Sequence, residues 1–130
     1  MNDITSYLAE IELALVSSPI IAEYAVIRSW ANTDDGYIRI RATLTNGDFL
    51  EAAEYFALRE DQVVTIDYRH HWADRDKQIL RRRWDSTPDH PDLKNFPHHV
   101  HIGSEENVIS GHAQGLVNLL KIIEIELAQS

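Results

Sequence analysis

The stretch YIRIRATLTNGDFLEAAEYF, residues 37–56, alternates apolar and polar side chains up to Asn46-Gly47. Ile38, Ile40, Ala42 and Leu44 fall on one face of a strand, Arg39 and Arg41 on the other. Asn and Gly both tolerate positive φ, so Asn46-Gly47 predicts a two-residue hairpin turn. That turn sets a register: Thr45 opposite Asp48, Leu44 opposite Phe49, Ala42 opposite Glu51 and Arg39 opposite Glu54. Arg39 and Glu54 then make a cross-strand ion pair. Glu51 falls on the apolar face of Ile40 and Leu44. Either a bulge after Phe49 or an edge position relieves it, or Glu51 is a half-buried acid.

Outward from this hairpin the chain continues in the same style. Residues 20–31 are rich in isoleucine, valine and aromatics, as a strand prefers, and residues 32–36 form a turn cluster. Residues 63–72 alternate again. Val64, Ile66, Tyr68, His70 and Trp72 share one face; Val63, Thr65, Asp67, Arg69 and His71 share the other. Residues 73–76 turn the chain. Residues 78–84 return with Leu80, Arg82 and Trp84 on one side and Ile79, Arg81 and Arg83 on the other. Residues 85–101 are rich in Pro, Asp and His and read as an ordered loop.

Both ends read as helices. Ile4, Leu8, Ile11 and Leu15 line one face of residues 3–16, with Asp3 as cap and Ser17-Ser18-Pro19 as stop. Leu116, Leu119, Leu120, Ile123 and Leu127 give residues 114–128 a wide apolar face. Short connections make neighbouring strands antiparallel. The expected fold is therefore α+β: one domain spanning residues 1–130, with a five-stranded antiparallel meander sheet and the N- and C-terminal helices packed on one face. The other face is left for solvent, a ligand or a partner.

The chain's 130 residues suit one core, and 44% hydrophobic content is that of an ordinary globular protein. No apolar run approaches the ~20 residues a membrane span needs. The N-terminus lacks the basic start and cleavage site of a signal peptide, so a cytoplasmic protein is expected. Absence of cysteine excludes disulfides and thiolate zinc sites. The net charge of -9 disfavours a general nucleic-acid binder. Yet six of the twelve Lys and Arg residues lie between Arg69 and Arg83, so a local basic stripe is expected within an acidic molecule.

Chemistry concentrates in two places. The stretch NFPHHVHIGSE, residues 95–105, carries His98, His99 and His101. In an extended chain His99 and His101 point to one side and His98 to the other. A His-x-His pair on a strand can chelate zinc or a similar metal, with Asp85, Asp89, His90 or Asp92 as third ligand. The alternatives are acid–base groups, or imidazoles that merely bond backbone carbonyls. The second place is the hairpin of residues 63–84. There Arg81 and Arg83 could form a two-guanidinium phosphate clamp beside Arg69 and His71, or a solvated face paired with Asp67, Asp74 and Asp76.

Metal-independent RNA cleavage needs a base for the 2′-hydroxyl, an acid for the leaving oxygen, and cations for the phosphorane-like charge. His71, His98, His99 and His101 are the proton-transfer candidates, and Arg81 and Arg83 the cations. Arg69, His90 and Asp85 are candidate substrate contacts. Tyr68, Trp72 and Trp84 could stack a base, although two of the three are expected in the core. No cofactor is required for this chemistry; a divalent metal such as zinc is the alternative.

The block from Tyr68 to His101 resembles the TumE-like toxins of bacterial and archaeal toxin–antitoxin pairs. Tyr68-Arg69, Arg83-Trp84-Asp85, and Phe96-Pro97-His98-His99 with His101 carry the resemblance. It extends to the opening helix and to residues 37–56. One departure is Asp89, within Ser86-Thr87-Pro88-Asp89-His90-Pro91, where the family commonly has an imidazole; His90 is kept. The resemblance implies a toxin acting on cellular RNA and a helix-turn-helix antitoxin partner. Apart from it, no membrane association is expected, and a homodimer is one possible assembly. A metal-binding domain or a non-enzymatic interaction module is the competing function.

Overall fold

The hairpin of residues 37–56 forms, but its loop has three residues. In the computed structural model, which describes residues 3–129, β2 (Asp35–Leu44) and β3 (Phe49–Arg59) pair antiparallel. Leu44 N–H donates to the Asp48 carbonyl and Gly47 N–H to the Leu44 carbonyl. Gly47 has φ +91, the left-handed position that ends a three-residue loop. The register therefore differs by one residue from the two-residue turn: Ala42 opposes Leu50, Arg41 opposes Glu51 and Arg39 opposes Ala53. A slip of one residue exchanges the faces of an entire strand. Glu51 moves to the open face, where it accepts from Arg41 Nε at 2.6 Å and Arg39 at 3.0 Å. The relief comes from Gly47, before Phe49 rather than after it. Glu54, expected beside Arg39 at the surface, is instead fully buried.

The remaining elements are α1 (Ile4–Ser17), β1 (Ile21–Ala31), β4 (Gln62–Ala73), β5 (Leu80–Asp85), β6 (His99–Ile102), β7 (Val108–Ser110) and α2 (Leu116–Ala128). The strands form a single antiparallel meander in chain order, β1 to β7. Seven strands replace the expected five. The two extra strands grow from the end of the Pro-His-rich segment, where Trp84 opposes Val100 and Arg83 opposes His101. They are too short, at four and three residues, for alternation to announce them.

Both helices cover one face. Ile4, Ile11 and Leu15 of α1, with Leu116, Leu119, Leu120 and Ile123 of α2, join Ile38, Ile40, Leu44, Leu50 and Phe56 in one core. Each such side chain contributes ~1.5–3 kcal/mol by leaving water. Asp3 caps α1 through its carboxylate on Ser6 N–H. No side chain of its own caps α2. Glu54 of β3 fills that role, accepting from Leu116 N–H at 2.7 Å, Thr65 Oγ1 at 2.8 Å and Tyr7 Oη at 2.5 Å. One carboxyl thus joins α1, β3, β4 and the positive end of α2.

Two bulges re-aim side chains. Tyr55 opposes Asp67 while Phe56 opposes Thr65, so Ile66 is the extra residue on β4. Alternation reverses there: Val63 packs on the core and Val64 is exposed, the opposite of the expected faces. Trp72 opposes Arg82 while Ala73 opposes Leu80, so Arg81 is extra on β5.

Candidate functional site

Cross-strand register builds the open face in rows. One row runs Arg39, Ala53, Arg69, Asp85, His99; the next runs Arg41, Glu51, His71, Arg83, His101. Residues directly opposite in a sheet project to the same side, so these polar side chains all face away from the helices. Arg39 and Arg69 flank Ala53, and the small alanine leaves a recess of about 500 Å³ lined by Tyr37, Arg39, Glu51, Ala53, Arg69 and His71. A second recess of about 380 Å³ shares Tyr37, Ala53 and Arg69 and is walled by Tyr55, Thr87 and Pro88. Together they form a continuous groove with an aromatic end and a cationic, imidazole-bearing end.

The arginines differ in how far they are committed. Arg69 is mostly exposed and reaches Asp85 only at 4.0 Å. Arg83 is forked onto Glu105 and approaches Asp85 at 3.5 Å. Arg81, displaced by its bulge, turns to Asp48, which also accepts from Trp72 Nε1 at 2.9 Å. The expected Arg81–Arg83 clamp is not formed, because the extra residue breaks the alternation that would have aligned the two. Arg39 and Arg69, two strands apart across Ala53, line the same recess, Arg39 while donating to Glu51 at 3.0 Å.

Asp85 is the buried anion of this face. Burial would raise its pKa, but hydrogen bonds from Thr87 and the nearby Arg69 guanidinium help outweigh it and hold the carboxyl below the usual range. Glu51 behaves alike: desolvation is outweighed by Arg41 and Arg39, and it stays ionised. His71 is half-buried, and its pKa falls through desolvation and the nearby Arg83. It is therefore a neutral imidazole at physiological pH.

The histidines of residues 98–101 separate as alternation predicts. His98 lies on the helix side, with Nδ1 2.9 Å from Tyr68 Oη and its ring stacked on Tyr68; burial and His112 lower its pKa. His99 and His101 lie on the other side. His90 folds back from the loop to meet them, and ligand atoms of the three imidazoles lie within 4.8 Å of one another.

The aromatic expectation is corrected. Tyr68, Trp72 and Trp84 are all buried on the helix side, where Trp72 stacks on Trp84 and Tyr68 on His70. Neither Trp72 nor Trp84 lines either recess of the groove. Tyr37 and Tyr55 line the groove together with Tyr68, whose hydroxyl is turned to His98 and the His112 carbonyl. The expectations from sequence also missed Arg39 and Glu51 as site residues. The signal for Arg39 was the alternation of residues 37–45, which already placed it off the core face; the two-residue register hid Glu51.

Among the described residues no helix is long and apolar enough to cross a membrane. The family model described as Toxin TumE matches residues 10–127. No curated protein and no solved structure matches the chain.

Proposed function

The chain belongs to the TumE toxin family, and from that premise we propose that it acts by cleaving RNA in the groove of the open sheet face. Family membership implies an antitoxin partner. The observation that carries the reading is the recess in which Arg39 and Arg69 straddle Ala53 with His71 in the wall. Backbones two strands apart are separated by roughly 10 Å, so both guanidinium groups can lean onto one phosphate. In this reading neutral His71 takes the 2′-hydroxyl proton. The 2′-oxygen then bonds to phosphorus and the bond from phosphorus to the 5′-oxygen breaks. The departing oxygen takes a proton from water, and Arg39 and Arg69 offset the charge on the phosphoryl oxygens. Tyr37 and Tyr55 receive a flanking base by stacking.

This reading moves two roles. Proton transfer rests on His71 rather than on His98, which is on the helix side, or on His99 and His101, which are buried with Nδ1 fixed to backbone. Phosphate holding rests on Arg39 and Arg69 rather than on Arg81 and Arg83. The antitoxin is read as a helix-turn-helix protein, with operator binding supplied by that partner because this chain is acidic. Purified protein incubated with RNA should leave 2′,3′-cyclic phosphate ends. His71→Ala should slow this by about 10²–10⁴-fold. RNA left intact at several pH values, with and without divalent metal, would overturn the reading.

A further inference from the structure

We propose that His90, His99 and His101 form a binding site for one divalent transition metal of the zinc class. The site lies on the open face beyond Asp85, two strands from His71.

The first support is convergence. The rings of His90 and His99 are 4.8 Å apart between centroids, those of His99 and His101 5.0 Å, and those of His90 and His101 5.9 Å. All three pairs meet edge to face, at 69°, 78° and 68°. Rings arranged this way can direct one nitrogen each at a common point. The second support is the tautomer. His99 Nδ1 lies 2.9 Å from the Pro97 carbonyl and His101 Nδ1 2.9 Å from the Glu105 carbonyl. A carbonyl only accepts, so each Nδ1 carries a proton, and in the neutral ring each Nε2 keeps its lone pair. Anchoring of the distal nitrogen by a carbonyl is the usual outer support of a metal-bound histidine.

The third support is an unmet demand. His99 is 1% exposed, and its Nε2 has no hydrogen-bond partner among the described residues. It faces Asp85 Oδ1 at 3.6 Å. With the ring neutral, Nε2 and Oδ1 are two acceptors facing each other in a buried place, and a cation between or beside them satisfies both. A proton would serve His99 alone. A metal ion uses all three lone pairs, and the ionised Asp85 offsets its charge. Three imidazoles with one position left for water is a common donor set for zinc. His90 comes from the same loop as Thr87 and Pro88, which wall the aromatic recess. The ion would therefore pin that loop to β6.

The test uses full-length, tag-free protein stripped with chelator and dialysed into metal-free buffer, without RNA. Zn²⁺ titrated by calorimetry should bind at one equivalent and raise Tm. Co²⁺ should give visible ligand-field absorption. His90→Ala, which leaves both strands of the β5–β6 pair intact, should weaken binding by more than the ~10–100-fold that loss of an outer-shell partner costs. His112→Ala should bind as the wild type does. Folded apo protein that shows neither heat nor absorption would overturn the proposal. So would equal affinity in the wild type and His90→Ala. Because no RNA is present, either outcome leaves the cleavage reading to its own assay.

Discussion

Glu54→Ala tests the hairpin register in one substitution. In the observed register the Glu54 carboxyl is fully buried and accepts from Leu116 N–H, Thr65 Oγ1 and Tyr7 Oη. Alanine removes all three acceptor contacts. Tyr7 and Thr65 lie 3.4 Å apart and can satisfy each other. Leu116 N–H has no such substitute, and an orphaned buried donor costs ~1–3 kcal/mol. The space left by the missing side chain adds to this, while relief of the carboxyl's own desolvation subtracts. A net loss of about 3 kcal/mol is expected from these terms. In the register of a two-residue turn, Glu54 would be a surface partner of Arg39, worth ~0.2–1 kcal/mol. Urea unfolding at pH 7 separates the two values.

Glu54→Gln adds a sign check. Burial raises the Glu54 pKa above its ordinary value, outweighing hydrogen bonds from Tyr7, Leu116 and Thr65. A raised folded pKa gives stability that is present below the unfolded value of 4.5 and lost as pH rises through the folded one. Glutamine is neutral throughout, and its amide can donate to the two hydroxyls. The stability of Glu54→Gln should therefore gain on the wild type as pH rises above 4.5. Glu54→Ala as stable as wild type, or Glu54→Gln tracking it in parallel, would refute the buried carboxyl and the register with it.

Gly47→Ala places a side chain at φ +91 and sets its Cβ 2.7 Å from the flexible Arg75 guanidinium; thermal unfolding should show a loss of about 1 kcal/mol, and an unchanged Tm would contradict the three-residue loop. His70 is fully buried, its Nε2 2.7 Å from the Gln114 carbonyl, and burial lowers its pKa from 6.5 to about 4. Its contribution is therefore present above pH 6.5 and lost as pH falls towards 4; a gap of 2.5 at ~1.36 kcal/mol each amounts to about 3 kcal/mol. Denaturant unfolding of wild type and His70→Leu should converge as pH falls through that window, and parallel profiles would contradict it. The comparison must be between variants, because Glu54 acts with opposite sign in part of the same range.

Much of this was legible in the sequence, and the exceptions share a cause. Apolar spacing marked α1, α2 and the core face of β2, because those elements are regular over many residues. Alternation also separated His98 from His99 and His101. Bulges and loop lengths were not legible. Asn46-Gly47 suits a two-residue or a three-residue loop, and the choice decides whether Glu51 or Glu54 enters the core. One extra residue at Arg81 dissolved a clamp that strict alternation required. The burial of Glu54 depends on Tyr7 and Leu116, 47 and 62 positions away, which local pattern cannot report. His90 was one of four possible companions to His99 and His101, and only the folded loop selects it.

The groove stands or falls on which arginines of the basic stripe matter. RNA cleavage by Arg69→Ala and Arg81→Ala, each shown to be folded, measures this directly. The account predicts that Arg69→Ala loses about 10²-fold in rate, the scale of one removed charge-stabilising donor, while Arg81→Ala, tied to Asp48 at the sheet's end, keeps wild-type activity. Cleavage retained by Arg69→Ala and lost by Arg81→Ala would contradict it.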